Sequence, residues 1–124
     1  MDINRPDVLA EVTAAFARYE AALGANDVAT LDELFWDSPH TLRYGAGENL
    51  YGIAAIRAFR NARPATGLAR ATLRTQITTY GDSFAATHVE FQRVGSHRVG
   101  RQTQAWVKLP QGWRVVSAHV SLLG

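Results

Sequence analysis

The stretch GRQTQAWVKLPQGWRVVSAHVSLL, residues 100–123, contains two long segments that are rich in β-branched and aromatic residues. They flank Pro110-Gln111-Gly112, whose residue types are typical of a tight turn. Two earlier segments have the same composition and are separated by Gly81-Asp82. We therefore predict an antiparallel meander of four long strands at residues 68–80, 84–94, 99–109 and 113–123.

Helical patterns precede these strands. Apolar residues recur three or four positions apart from Val8 to Leu23, and Gly24 is placed to end the first helix. The next predicted elements are a short helix at 28–35, a strand at 40–44, a polar turn at 46–49 and a third helix at 52–61. Helices followed by strands predict one α+β domain over residues 1–124, with three N-terminal helices on one face of a strongly curved, mostly antiparallel sheet.

The composition restricts the class of function. The chain has no cysteine, which excludes a disulfide framework, a thiolate zinc site and a cysteine nucleophile. Thirteen basic and eleven acidic residues give a net charge of only +2, and the arginines are scattered, so we predict no nucleic-acid binding. We expect a soluble, cytoplasmic protein without a membrane contact, because neither a signal peptide nor an apolar run of ~18 residues is present.

Both faces of the predicted strands carry apolar and aromatic side chains. In the last strand we expect two alternating sets: Trp113, Val115, Ser117, His119 and Ser121 on one face, and Arg114, Val116, Ala118, Val120 and Leu122 on the other. A sheet that is covered by helices on one side normally presents a more polar second face to water. We therefore expect a second copy of the chain to cover that face in a homodimer, and we leave open whether dimers pair into tetramers.

The order of the elements and the segment WRVVSAHVSLL at 113–123 resemble the nuclear transport factor 2 fold, also called the cystatin-like cone or SnoaL-like fold. Three stretches resemble more narrowly the AtzH-like family: FARYEAAL at 16–23, LRYGAGENLYGIAAIRAFR at 42–60, and GRQTQAWVKLPQGWRVVSAHVSLL at 100–123. That family consists of small cone-fold proteins associated with cyanuric acid and oxalurate catabolism. The resemblance implies a decarboxylating amidohydrolase of nitrogen catabolism that acts on small N-carboxylated ureas. It also implies two key residues, a tyrosine on the first helix and an arginine on the first strand, which are Tyr19 and Arg43 here.

Without the family, Arg43 and Tyr19 each have two interpretations. Arg43 is either a solvated charge or an enclosed guanidinium that binds a substrate carboxylate through two parallel hydrogen bonds. Tyr19 is either a core residue or a phenol that transfers a proton beside a cation. An N-carboxylate loses carbon dioxide readily once its nitrogen is protonated, so orientation, a proton and exclusion of water suffice, and we predict no cofactor. Amide hydrolysis also needs an activated water, and the sequence shows no nucleophile triad.

Four further residues are predicted to bind substrate. Gln102, Gln104 and Trp106 alternate on one side of the third long strand. If that side faces the interior of the cone, two amides and an indole can hold a flat urea; if it faces outward, the three residues are dimer contacts. His119 is either a structural histidine or a general base in the pocket. His119 or Glu90 would be the base if the chain were a SnoaL-type isomerase or dehydratase.

The four histidines, at positions 40, 88, 97 and 119, are far apart and show no metal-binding spacing, so we predict no metal site. Besides the isomerase, two classes of function stay open. One is a homodimeric enzyme that acts on a small anionic urea-like metabolite. The other is a non-catalytic cone-fold protein that binds such a metabolite or serves as an assembly module. Release of carbon dioxide and ammonia from N-carboxylated ureas distinguishes them.

Overall fold

A computed structural model describes all 124 residues. The elements follow in the order α1 (Pro6–Gly24), α2 (Val28–Leu34), β1 (Leu42–Tyr44), β2 (Asn49–Tyr51), α3 (Ile53–Ala62), β3 (Arg70–Tyr80), β4 (Phe84–Arg93), β5 (Gly100–Leu109) and β6 (Gly112–Leu122). The strands form one open sheet in the order β2-β1-β6-β5-β4-β3. Neighbouring strands are antiparallel except β1 and β6, which are parallel. The predicted α+β class, with three helices on a mostly antiparallel sheet, is confirmed.

Strand β2 differs from the expectation of a polar turn that leads directly into a helix. The backbone N–H of Gly45 donates to the carbonyl of Glu48 at 2.9 Å, which closes the turn. The chain then pairs with β1 over Asn49–Tyr51 before α3 begins. Three residues are too few to show an alternating pattern of apolar side chains, and this is why the strand is not recognisable in the sequence.

Helix α1 presents one apolar stripe to the sheet. Val8, Val12, Phe16, Tyr19 and Leu23 are buried along it. Their spacing of three or four residues places them on one face of the helix, as the sequence predicts. The stripe belongs to a single cluster of 19 buried hydrophobic residues between the helices and the sheet. No helix combines the length and the apolar composition that crossing a bilayer requires.

A β-bulge in β6 changes which side chains face the helices. Ala105 of β5 pairs with Ser117, but the next residue, Trp106, pairs with Val115, so Val116 is the extra residue. The buried residues of β6 therefore change parity at the bulge: Trp113 and Val115 before it, Ala118 and Val120 after it. The expected uninterrupted alternation along this strand is wrong, because one inserted residue turns all later side chains to the opposite face.

Candidate functional site

A pocket lies between the helices and the inner face of the sheet, and the predicted residues Tyr19, Arg43 and Gln102 all line it. Its other lining residues come from helices, from strands and from the connection between α3 and β3: Leu23, Leu31, Arg60, Arg63, Leu68, Arg70, Arg93 and Val120. The cavity volume is about 30 Å³. This is room for about two water molecules, so a ligand of the size of urea has to displace side chains.

Tyr19 is held at the wall of this pocket by a buried hydrogen bond. Gln102 Nε2 donates to the Tyr19 hydroxyl oxygen at 3.0 Å. Both residues are almost completely enclosed, with 6% of Tyr19 and 3% of Gln102 exposed. The rings of Phe16 and Phe35 lie on either side, with centroids 6.3 and 6.4 Å from that of Tyr19. Because the tyrosine accepts this bond, its own hydroxyl proton stays available to another partner.

Arg43 faces the same interior because β1 aligns it with Ala118, which is buried on the inner face of β6. Its Nη1 donates to Glu48 Oε1 at 3.1 Å, and only 13% of the side chain is exposed. Its guanidinium also lies 5.6 Å from the ring centroid of Phe59. Glu48 reaches back over Gly45, where a Cβ atom would overlap the carboxylate. Arg43 is therefore an enclosed and paired cation, and it is not a charge in bulk water.

The pocket contains more positive than negative charge. Five arginines line it, and three of them are paired with a carboxylate: Arg43 with Glu48, Arg60 with Asp32, and Arg70 with Glu20. Neither Arg63 nor Arg93 forms a salt bridge. The pocket therefore has an excess of two positive charges, which favours an anionic ligand in an enclosed space.

Enclosure lowers the pKa of three of these guanidinium groups. Burial lowers the pKa of Arg60, and the hydrogen bond to Asp32 opposes that effect. Burial also lowers the pKa of Arg63, and the nearby charge of Arg60 lowers it further. The pKa of Arg93 is lowered by burial first and then by Arg70. Clustered like charges without a full set of counter-ions are typical of a site that binds an anion.

Of the five arginines, Arg43 alone is predicted from the sequence as a site residue. A signal was present for two of them: Arg60 lies four residues after the buried Ile56 on α3, and Arg93 lies two residues after the buried Phe91 on β4. An arginine on the apolar face of a helix or strand indicates an enclosed cation. Arg63 and Arg70 carry no such local signal, because neither continues a series of buried apolar residues in its own element.

Two of the predicted substrate-binding residues lie on the inner face but outside the pocket. Trp106 Nε1 donates to Thr87 Oγ1 at 3.0 Å, and Thr87 in turn donates to Gln104 Oε1 at 3.1 Å. All three side chains are buried. The inner face therefore does carry Gln102, Gln104 and Trp106, but only Gln102 lines the cavity. Gln104 and Trp106 lie behind the wall of the cavity and support it.

His119 lies on the outer face of the sheet, away from the pocket. It lines a separate open groove of about 700 Å³ together with His88, Glu90 and Thr103. The bulge is the reason, since without it His119 would share a face with the buried Val115. The predicted place of His119 among the substrate-binding residues of the pocket is therefore not observed. Glu90, the other base considered for an isomerase, also faces outward.

The residues of the chain offer no arrangement for a metal ion. No three histidine, aspartate or glutamate side chains are placed so that they could hold one metal ion together. The carboxylates nearest to the pocket, those of Glu20, Asp32 and Glu48, each pair with an arginine instead. The chemistry available in the pocket is therefore that of guanidinium groups, one phenol and one amide.

Comparisons with known proteins agree with this architecture. The model of the AtzH-like family matches residues 1–124. A protein of unknown function from Pectobacterium atrosepticum is 64% identical, with a TM-score of 0.97 over 99% of this chain and 96% of that one. A cystatin-like fold protein from Burkholderia xenovorans is 44% identical, with a TM-score of 0.95 over 100% of this chain and 98% of that one.

A third structure shares the fold alone. A putative ketosteroid isomerase from Parabacteroides distasonis is 13% identical, with a TM-score of 0.71 over 87% of this chain and 84% of that one. At this identity the similarity does not extend to chemistry, because one fold hosts many unrelated functions. No curated protein matches the chain.

Proposed function

The chain belongs to the AtzH-like family and has the cystatin-like fold, and from this premise we propose that it is an enzyme that removes carbon dioxide from a small N-carboxylated urea. The observation that carries the proposal is the pocket. Tyr19 and Arg43 line it together, and two of its five arginines have no carboxylate partner, which leaves an excess of two positive charges. An enclosed cationic space favours a carboxylate, and an enclosed phenol with a free proton can protonate the atom next to it.

In this proposal Arg43 orients the carboxylate that leaves. Its Nη1 is occupied by Glu48, while Nε and Nη2 make no hydrogen bond within the protein. A guanidinium with two free donors on one edge can hold a carboxylate in one plane. Glu48 keeps the guanidinium in place and limits its movement. Arg43 is therefore a catalytic residue through orientation and charge.

Tyr19 is the proton donor. Gln102 holds its oxygen, so the hydroxyl proton is directed to the substrate nitrogen. The nitrogen takes this proton as its bond to the carboxylate carbon breaks, and the carboxylate leaves as carbon dioxide. The remaining phenolate recovers a proton from water. No cofactor takes part, because the electron pair of the broken bond stays on the protonated nitrogen.

The proposal does not extend to hydrolysis of an amide bond. The residues that line the pocket include no serine, histidine or cysteine. A hydrolase of this size would need such a nucleophile, or an activated water together with donors for the oxyanion. Decarboxylation needs only the groups that are present.

The test is carbon dioxide release from urea N-carboxylate by the purified protein, measured against the rate in buffer alone. We expect Tyr19→Phe to lower the rate about 100-fold or more, because it removes the proton donor. Arg43→Ala should cause a loss of similar size. Tyr80→Phe, a tyrosine outside the pocket, is the matched control and should keep full activity. Circular dichroism checks that the variants fold, and a wild-type rate equal to the buffer rate refutes the proposal.

A non-catalytic binding protein is the second candidate. The excess of positive charge in the pocket supports it as well as the enzyme. Saturable binding of an N-carboxylated urea without release of carbon dioxide is the result that would favour it. An isomerase or dehydratase has less support, because His119 and Glu90 both lie on the outer face of the sheet.

We also propose that the protein assembles as a homodimer through the outer face. Four apolar residues of β4 and β5 form a strip there, with Phe84 paired to Val107 and Ala86 paired to Ala105. No element of the chain covers them, and Phe84 is 42% exposed. A two-fold pair of sheets would bury this strip against its own copy, which is the simplest closed arrangement.

A further inference from the structure

Arg63 differs from the other arginines of the pocket in having buried donors without a partner. It follows α3 directly, and its backbone N–H donates to the carbonyl of Phe59 at 3.1 Å. Its side chain lines the pocket with Tyr19 and Arg43. Its Nε and Nη2 atoms are enclosed, and neither has a hydrogen-bond partner within the protein.

The two unpartnered atoms form one edge of the guanidinium. Nε and Nη2 donate in parallel, with a spacing that matches the two oxygens of a carboxylate. A buried charged donor without a partner is destabilising, so folded proteins rarely leave one in place without a ligand for it. The free edge of Arg63 therefore indicates the position of an anionic group in the bound state.

The other four arginines are engaged differently. Arg43, Arg60 and Arg70 are each paired with a carboxylate of the protein. Arg93 has no such pair, but its guanidinium lies 5.4 Å from the ring centroid of Phe91, and none of its donors is a buried atom without a partner. Among the five arginines of the pocket, Arg63 is thus the one whose Nε and Nη2 are both fully buried and without a hydrogen-bond partner.

We propose that Arg63 binds the carboxylate of a small urea-type anion together with Arg43, and that Arg63 provides most of the affinity of the pocket for that anion. The assignment rests on the proposed function only for the location of the ligand, and it does not require turnover. Arg93 adds a second uncompensated charge nearby. Arg43, already neutralised by Glu48, contributes orientation at the reacting end.

Binding requires the pocket to widen. Its volume of about 30 Å³ is smaller than a urea carboxylate, so guanidinium groups have to turn away from their present positions. Arginine side chains rotate easily, and Arg63 gives up no hydrogen bond of its side chain when it moves. Binding of the anion therefore gives a hydrogen-bond partner to the two buried donors of Arg63 that have none in its absence.

The experiment measures binding of N-carbamoylglycine by titration calorimetry; this stable urea-type anion has one methylene group between the urea nitrogen and the carboxylate. We expect Arg63→Gln to weaken binding about 10- to 100-fold, the loss typical of a charge-assisted hydrogen-bonded pair. Arg63→Lys keeps the charge without the parallel donors and should give an intermediate loss. The matched control is Arg57→Gln, on the helix that Arg63 follows but outside the pocket, which should bind within about twofold of wild type.

Two further measurements separate ligand binding from a structural role. N-carbamoylglycinamide, the neutral amide of the probe, should bind weakly to wild type and to Arg63→Gln alike. Unfolding in urea should show that Arg63→Gln is at least as stable as wild type, since Arg63 has no side-chain partner to lose. A structural arginine would instead give a less stable variant.

Three results would overturn the proposal: equal affinity of wild type and Arg63→Gln for the probe, an equal loss in Arg57→Gln, or no saturable binding to wild type at millimolar concentrations. The proposed function can fail separately. Arg63-dependent binding without release of carbon dioxide refutes the enzyme and keeps this assignment. Release of carbon dioxide with an unchanged KM in Arg63→Gln refutes this assignment and keeps the enzyme.

Discussion

A single carboxylate, that of Glu11, connects helix α1 to the hairpin of β5 and β6. Glu11 Oε1 accepts hydrogen bonds from Trp113 Nε1 at 2.8 Å and from Lys108 Nζ at 2.9 Å. The bond from Trp113 first, and then that from Lys108, lower the pKa of Glu11 below its ordinary value of 4.5. The pKa of Glu33 is also lowered, first by the hydrogen bond that it accepts from Arg18 and then by the positive charge of Arg18. The folded state therefore favours the ionised form of both residues.

This residue-scale arrangement predicts a loss of stability in acid. The pKa of Glu11 is lower in the folded than in the unfolded state. Its contribution to the free energy of unfolding is therefore complete above the unfolded-state pKa, and it is lost as the pH falls through the folded-state pKa. We expect the free energy of unfolding in urea to decrease between about pH 5 and pH 3. Glu11→Gln should flatten this dependence, and a variant with the wild-type slope would contradict the prediction.

At the scale of elements, the pairing of β4 with β5 builds one wall of the pocket. Gly100 lies directly opposite Phe91, whose ring is completely buried. The guanidinium of Arg70 lies 4.2 Å from the centroid of that ring, and Arg93 contacts the same ring. A Cβ atom at position 100 would overlap the ring. The glycine therefore allows the ring to lie across β5 and to support two of the pocket arginines.

We expect Gly100→Ala to lower the free energy of unfolding by about 1–3 kcal/mol, because the added methyl group overpacks the core. Urea denaturation monitored by tryptophan fluorescence measures the change. Gly47→Ala is the matched control, since a Cβ atom there meets nothing within 4 Å. Equal stability of the two variants would show that Phe91 moves without cost, and the proposed wall would then be wrong.

At the scale of the whole molecule, the sheet separates two environments. The inner face carries the core and the charged pocket, and the outer face carries the apolar strip of Phe84, Ala86, Ala105 and Val107 beside a polar groove. A second copy on the outer face would leave the pocket inside each protomer. The proposed binding of the anion and the proposed assembly are therefore physically separate, and each can be tested without the other.

Sedimentation should give about twice the protomer mass of 13.6 kDa. Ala105→Glu places a charge in the middle of the apolar strip and should shift the protein to the monomer, because two such charges would face each other across the two-fold axis. Asn61→Glu, exposed on α3, is the control and should stay dimeric. A monomeric wild-type protein, or a dimeric Ala105→Glu variant, would reject this interface.

The sequence predicts some of the residues of the candidate site but not the full set. Tyr19 lies on the apolar stripe of α1, and the family resemblance singles out Arg43, so both were named from the sequence. The role of Arg63 was not predictable, because it depends on atoms without a partner and on carboxylates that pair elsewhere. His119 was misplaced because a single extra residue, Val116, reverses the faces of β6.

The class of the fold, the order of its long elements and its family can all be predicted from the amino-acid sequence, because the spacing of apolar residues and the turn residues are local properties of the chain. The packed fold, in contrast, sets which strand face is buried beyond the bulge, which five arginines line one pocket, and which three of them pair with a carboxylate. Those features depend on pairing between segments that are far apart in the chain, and no local pattern encodes the balance of charge that results.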